Sequence, residues 1–283
     1  MFPKEFEYKR ASSVDEALQM LAADSDAKIL AGGHSLIPAM KLRLSEPTTL
    51  IDIGRIGELR SISANGSLSI GALATHAEIA ASSQVKSYCA ALAQAAGQIG
   101  DQQVRNFGTL GGNIAHADPA SDPPTVLMAC NATIHVRGAG GSRAISAQDF
   151  FIDLFTVDLQ EGELITRIEI PNQGGKKTAY VKLSHPASRY ALVGVCVILD
   201  MTGGTCNSAS VAVGGATSKA MRSPGAESAL AGSSLIDGAL NAAADALMTD
   251  IEDYVIGDVN YPEDYRHAMA GVYFKRAVRM AAG

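Results

Sequence analysis

The chain has 283 residues, enough to bury a sizeable core spread over two domains. Hydrophobic residues make up 47% of it, a composition that folds rather than stays disordered. A net charge of −6, no Trp and 5% aromatic residues exclude nucleic acid as a general partner: there is no basic surplus to neutralise phosphates and no platform for stacked bases.

In chain order, Ser13-Val14-Asp15-Glu16 predicts a capped helix start, with Glu16 reaching back to the Ser13 N–H. Val14, Ala17, Leu18, Leu21 and Ala22 then follow helical spacing. Residues 28–31 read as a short strand, and 35–44 as a helix that tolerates Pro38 in its first turn. Residues 49–53 alternate and are β-branched, which predicts a strand. Asn65-Gly66 between two alternating runs marks a hairpin. An Ala-rich helix is expected over 85–99, a second hairpin over 132–145 around the glycine turn 138–141, and a strand over 163–170. Asn172-Gln173-Gly174-Gly175 is the best linker. Beyond it, 178–183, 193–201 and 205–213 predict an antiparallel meander, and 225–249 and 262–281 predict helices. Lys275, Arg276 and Arg279 fall toward the end of the last helix, where positive charge complements the dipole.

Cys89, Cys130, Cys196 and Cys206 form no C-x-x-C pair, so they read as small buried hydrophobes and no metal site is expected on this chain. The opening MFPKEFEYKR lacks the apolar core of a signal peptide, and no apolar run reaches the ~20 residues of a membrane helix. A cytoplasmic protein without a transmembrane segment is expected, with a peripheral seat at the inner membrane face left open.

Two glycine segments carry the chemistry: Ala31-Gly32-Gly33-His34-Ser35 and Thr109-Leu110-Gly111-Gly112-Asn113. A Gly-Gly step permits positive φ and close approach of backbone N–H groups to a bound group. Successive N–H groups make an anion-binding concavity, to which a following helix adds favourable partial charge. Taken singly, each is an ordinary tight turn; taken together, they suit both phosphates of a dinucleotide. Neither G-x-G-x-x-G nor G-x-x-x-x-G-K-[ST] occurs, so the common phosphate-binding fingerprints are absent.

The stretch AGGHSLIPAMKLRLSEP (31–47), followed by TLIDI (49–53), resembles the first FAD signature of the flavoprotein subunit of molybdenum hydroxylases. QVRNFGTLGGNIAHADPASDPP (103–124) resembles the second, and the similarity runs from FEYKRASSVDEAL (6–18) to YRHAMAGVYFKRAV (265–278). The resemblance implies an α+β fold. An FAD-binding domain of the p-cresol methylhydroxylase/vanillyl-alcohol oxidase type would span 1–174, in two α/β subdomains of about 1–54 and 55–174. A C-terminal domain of antiparallel sheet plus helices would span 175–283.

It also implies roles for residues. Gly32, Gly33, Gly111 and Gly112 would contact the pyrophosphate, with Ala31, His34 and Ser35 completing the first loop and Ile29, Leu30 and Leu36 walling it. Thr109 and Asn113 would offer a hydroxyl and an amide. His116 is placed near the flavin, with a plain loop histidine as the alternative. Asp122 would accept from the adenosine ribose hydroxyls, while Asp118 stabilises the turn. Ile99 and Ile165 would be backbone or apolar contacts, with plain core as the alternative. Lys182 would set a cation at the pyrimidine end of the flavin, and Tyr190 would gate the ring or simply pack. Ser184-His185-Pro186 and Ser188-Arg189 depart from the family's usual residues around that strand.

The function so implied is electron transfer, with no catalytic acid or base on this chain. FAD would take electrons from [2Fe-2S] clusters on a small subunit, fed by a molybdenum cofactor on a large subunit, and pass them to an external acceptor. The assembly implied is a dimer of heterotrimers. A self-sufficient FAD oxidase or dehydrogenase, and a cofactor-free assembly subunit, are the alternatives. The roughly 110 residues after the linker are small for the substrate domain that an oxidase requires.

Overall fold

A computed structural model describes residues 2–283. Its first layer is a three-stranded parallel sheet of order β1-β3-β2. It is built from β1 (Glu7–Arg10), α1 (Val14–Ala23), β2 (Lys28–Leu30), α2 (Leu36–Lys41) and β3 (Thr49–Asp52). Ser13 caps α1 as expected, accepting from the Glu16 N–H. The Glu16 carboxylate, however, accepts from the N–H and hydroxyl of Ser12 rather than from Ser13. Val14 and Ala17 of α1 pack against Ile51 and Ile53 to close a small core.

The second layer comprises β4 (Ile62–Asn65), β5 (Ser67–Gly71), α3 (His76–Ala81), α4 (Ser83–Tyr88), α5 (Ala90–Gly97), α6 (Gln102–Phe107), α7 (Leu110–His116) and α8 (Asp122–Ala129). It continues with β6 (Thr133–Gly138), β7 (Gly141–Ser146), α9 (Ala147–Phe150), β8 (Phe151–Asp153), β9 (Thr156–Val157) and β10 (Leu164–Pro171). Five of its seven strands form an antiparallel sheet of order β4-β5-β10-β6-β7, and β8 pairs with β9 in a separate two-stranded sheet. Both predicted hairpins are present, the first turning at Gly66 with φ +75°. The single helix expected over 85–99 is instead two. Cys89 adopts φ −153°, breaking the run so that α5 turns its Ala-rich faces into the core.

The C-terminal part comprises β11 (Lys177–Ser184), β12 (Ala191–Thr202), β13 (Thr205–Gly214), β14 (Met221–Arg222), α10 (Pro224–Leu230), α11 (Asp237–Ile251) and α12 (Glu263–Ala282). The strands form the expected antiparallel meander, extended by β14. The helix expected over 225–249 is interrupted: Gly232 takes φ +77°, and its N–H donates to Cys206 O, docking the break onto β13. Period-2 alternation splits β12 between two cores. Val193, Val195, Val197 and Leu199 face α10–α12, while Cys196 and Ile198 share the core of the second layer. All eight residues of α8 are buried, as suits a helix that lies against β12 and β13 on one side and α5 on the other. Among the described residues no helix is long and apolar enough to cross a membrane.

Candidate functional site: two glycine segments in contact

β2 ends at Leu30 and the chain turns sharply, with Gly33 at φ +73°, before entering α2. Leu30 and Ile37 flank Gly33, their side chains 3.2 and 3.1 Å from where a Cβ would sit. Ile29 packs on the first core, Ala31 and Leu36 are half-buried, and Ile37 is a wall residue that sequence reading missed. None of the N–H groups of Gly32, Gly33, His34 and Ser35 donates within the described chain, although neighbouring groups are paired. Four free donors in a turn that left-handed backbone makes concave are an anion-binding arrangement. α2 has only six residues, so its dipole adds less than the sequence suggested.

The second segment abuts the first. A Cβ on Gly32 would lie 2.1 Å from Phe107 O, and one on Gly112 would lie 3.7 Å from the Ala31 Cβ. His34 stacks on Phe107 with ring centroids 5.6 Å apart and an interplanar angle of 9°, while its Nδ1 sits 2.9 Å from Gly32 O. The second glycine pair is not a turn before a helix but lies within α7, whose N-cap is Thr109. The Gly111 N–H donates to Ala72 O at 2.8 Å, and a Cβ there would meet Ala72 Cβ at 2.6 Å. Gly111 is therefore a close-packing glycine, not a phosphate donor. The Gly112 N–H points to Thr109 Oγ1 at 3.2 Å. What this segment offers is side chains: the Thr109 hydroxyl and the Asn113 amide, whose buried Oδ1 has no partner. A partnerless buried Oδ1 on one segment and four free N–H groups on the segment it abuts fit a ligand that carries both charged and polar groups.

The remaining predicted residues fall elsewhere. His116, exposed at the end of α7, pairs with Phe155, their ring centroids 5.2 Å apart. Ala117 takes φ +48°, and the following turn docks on the C-terminal sheet through Gly215 N–H to Pro119 O and Ala191 N–H to Ala120 O. Asp118 stabilises this turn by accepting from the Ala120 N–H at 2.9 Å.

Asp122 is 4% exposed and accepts from Tyr180 Oη at 2.6 Å and Lys182 Nζ at 2.9 Å. Both carboxylate oxygens thus have internal partners, so the bidentate ribose role is corrected to a buried ion pair. Burial pushes the Asp122 carboxyl up, against the opposing pull of Lys182. Burial likewise raises the Tyr180 hydroxyl, with the Asp122 charge adding to the effect. The other protons of Lys182 go to Arg189 O at 2.8 Å and Gln98 O at 3.1 Å, leaving the ammonium no free donor in this arrangement. Tyr180, a member of this network, carried no sequence signal. Ile165 is buried in the second-layer core and takes its structural alternative, whereas Ile99 is half-buried outside the core clusters and its carbonyl accepts from Arg105 Nη1 at 3.0 Å. Tyr190 is half exposed; burial raises its hydroxyl, with the Asp118 and Asp122 charges adding to the effect.

Residues 4–173 match the family described as the FAD binding domain in molybdopterin dehydrogenase. Residues 178–281 match the CO dehydrogenase flavoprotein C-terminal domain. The chain is 42% identical to the glyceraldehyde dehydrogenase medium chain of Sulfolobus acidocaldarius, over 94% of this chain and 92% of that one. It is 39% identical to the carbon monoxide dehydrogenase medium chain of Hydrogenophaga pseudoflava, over 99% and 98%. A solved carbon monoxide dehydrogenase from that organism superposes with a TM-score of 0.95 at 39% identity, covering 99% of this chain and 98% of that one. These relatives are subunits of oxidoreductase complexes. The chain belongs to the FAD-binding medium-subunit family of the molybdenum hydroxylases.

Proposed function

We propose that this chain is the electron-transfer flavoprotein subunit of a molybdenum hydroxylase complex. It would take electrons from [2Fe-2S] clusters on a small partner subunit and deliver them to an external acceptor. A large subunit would hold the molybdenum cofactor and the substrate. The observation that carries this reading is the contact of the two glycine segments, of which one keeps free N–H groups at 32–35 and the other a buried Asn113 Oδ1 without a partner. When bound, FAD supplies the redox chemistry. The protein supplies binding: residues 32–35 hold the pyrophosphate through backbone donors, Thr109 and Asn113 add side-chain hydrogen bonds, and Ile29, Leu30 and Ile37 support the loop. The His34 ring, stacked on Phe107 with Nδ1 at Gly32 O, is a wall of the site, and His34 meets the phosphate through its backbone N–H alone. Residues 1–174 form the cofactor-binding domain and 175–283 the domain that braces it, with Lys182, Tyr180 and Asp122 pinning the seam. The relatives' designations as medium chains of dehydrogenases support the multi-subunit setting.

The test is the visible spectrum of the purified full chain, with the acid-released chromophore identified. Oxidised-flavin bands and released FAD, bleached in the intact complex when substrate of the molybdenum subunit is added, are the expected result. A complex that reduces its acceptor with the flavin removed would overturn the electron-transfer reading.

A further inference from the structure

Cys89 and Cys130 lie 41 residues apart in sequence, yet their Sγ atoms are 3.2 Å apart. That is shorter than the ~3.5–4.0 Å of ordinary packing contacts. Cys89 occupies the break between α4 and α5, and Cys130 follows the last turn of α8. Both thiols are buried. The Cys130 neighbourhood also carries the linker, since Gln173 Nε2 donates to Cys130 O at 3.3 Å and Gln173 N–H donates to Tyr88 O at 2.8 Å. The hydrogen bond between the thiols makes Cys89 the more acidic of the two and holds the proton on Cys130. Cys196 of β12 belongs to the same core, while Cys206 lies in the other.

We propose that Cys89 and Cys130 are an oxidative modification site that forms a reversible intrachain disulfide, stapling the start of α5 to the end of α8. An S–S bond is about 2.0 Å long, so about an ångström of closure suffices. With hydrogen peroxide as oxidant, the Cys89 sulfur attacks one peroxide oxygen, the O–O bond breaks, and the Cys89 thiol proton leaves with the departing hydroxide as a first water while a sulfenic acid forms. The Cys130 sulfur then attacks the Cys89 sulfur, the S–O bond breaks, and a second water leaves. Two thiols lose two electrons in all, and the peroxide gains them. A dithiol reductant reverses the bond by exchange. The enclosed segment 90–129 carries α5–α8 and with them Thr109, Gly112 and Asn113. Closure therefore restrains the unfolded chain and holds the part that presents the second glycine segment. The inference does not depend on the cofactor reading.

The test uses the full chain, reduced, desalted and treated with hydrogen peroxide, then alkylated in denaturant and peptide-mapped. Four alkylatable thiols should fall to two. A linked Cys89–Cys130 peptide should be found, dithiothreitol should restore all four thiols, and Tm should rise by roughly 5 °C or more. Cys89→Ala and Cys130→Ala should each keep three thiols through the same treatment. Four persistent thiols, a bridge involving Cys196, over-oxidation without a bridge, or a bridged chain with unchanged or lowered Tm would each overturn the proposal. The wild-type map alone decides the matter if a variant fails to fold.

Discussion

The carbonyl oxygen of Phe107 occupies the space that a side chain on Gly32 would need, 2.1 Å from its Cβ position. This is the point at which residues seventy-five apart in sequence bring the two glycine segments into one site. Because the obstructing atom is backbone, Gly32→Ala forces the segments apart rather than merely turning a side chain. We expect a destabilisation of about 1–3 kcal/mol and an FAD affinity at least ~10-fold weaker. Gly112→Ala meets the Thr109 hydroxyl at 2.8 Å, which can rotate away, and should cost less. Urea midpoints and FAD fluorescence titration report both effects. Gly32→Ala binding FAD as tightly as wild type would separate this junction from the cofactor site.

Asn113 leads to a prediction whose sign depends on the ligand. Its Oδ1 is buried without a partner, so the chain without FAD carries a desolvation cost there. Asn113→Ala should leave the stability of the FAD-free chain unchanged or slightly higher. The same substitution should weaken FAD binding by roughly fivefold, the worth of one hydrogen bond of about 1 kcal/mol. A thermal shift series with and without FAD separates the two effects. Equal losses in both conditions would make Asn113 a structural residue only.

The elements that short-range rules govern were legible in the sequence. The Asn65-Gly66 hairpin needs only a residue tolerant of positive φ between alternating strands, and the strand expected over 205–213 is present as β13, one residue longer. The expected glycine segments did converge. What local reading missed follows from tertiary contacts. Gly111-Gly112 has poor helix propensity yet is helical, because Thr109 caps α7 and Ala72 leaves no room for a Cβ. The Thr75–Glu78 capping box that starts α3 has the spacing of a short-range signal. Ile165 faces the core because β10 is central in its sheet, and no periodicity within β10 announces strand order. The partner of Lys182 lies 60 residues away, across the seam between the two halves.

That seam supports a prediction about stability. Lys182 and Asp122 are paired with side chains 1% and 5% exposed, so removing one partner strands a buried charge. Lys182→Met should cost about 3–5 kcal/mol, and Asp122→Asn a comparable amount. The double variant Lys182→Met/Asp122→Asn should recover part of the loss, because neither charge is then unpaired. Urea unfolding of the four proteins at one pH forms the cycle. Strict additivity of the two losses would show that the contact has no energetic coupling.

His76 makes the fold sensitive to acid. It is 3% exposed, its Nδ1 has no partner, and burial, aided by the nearby His34, lowers its pKa to about 4 from an ordinary 6.5. The neutral ring is thus the folded form. Above pH 6.5 folded and unfolded states bind the same number of protons at this site, and its contribution is fully present. Below 6.5 the unfolded chain takes up a proton that the folded chain refuses, so stability falls as pH drops toward 4, by about 3 kcal/mol in all. His76→Leu removes the titrating group while keeping an apolar body against Gly108. It should flatten the part of the stability profile between pH 6.5 and 4 that His76 contributes, whatever its effect on stability at pH 7. Urea midpoints at half-unit pH intervals for both proteins measure the difference. An unchanged slope in the variant would mean that His76 takes up its proton in the folded state.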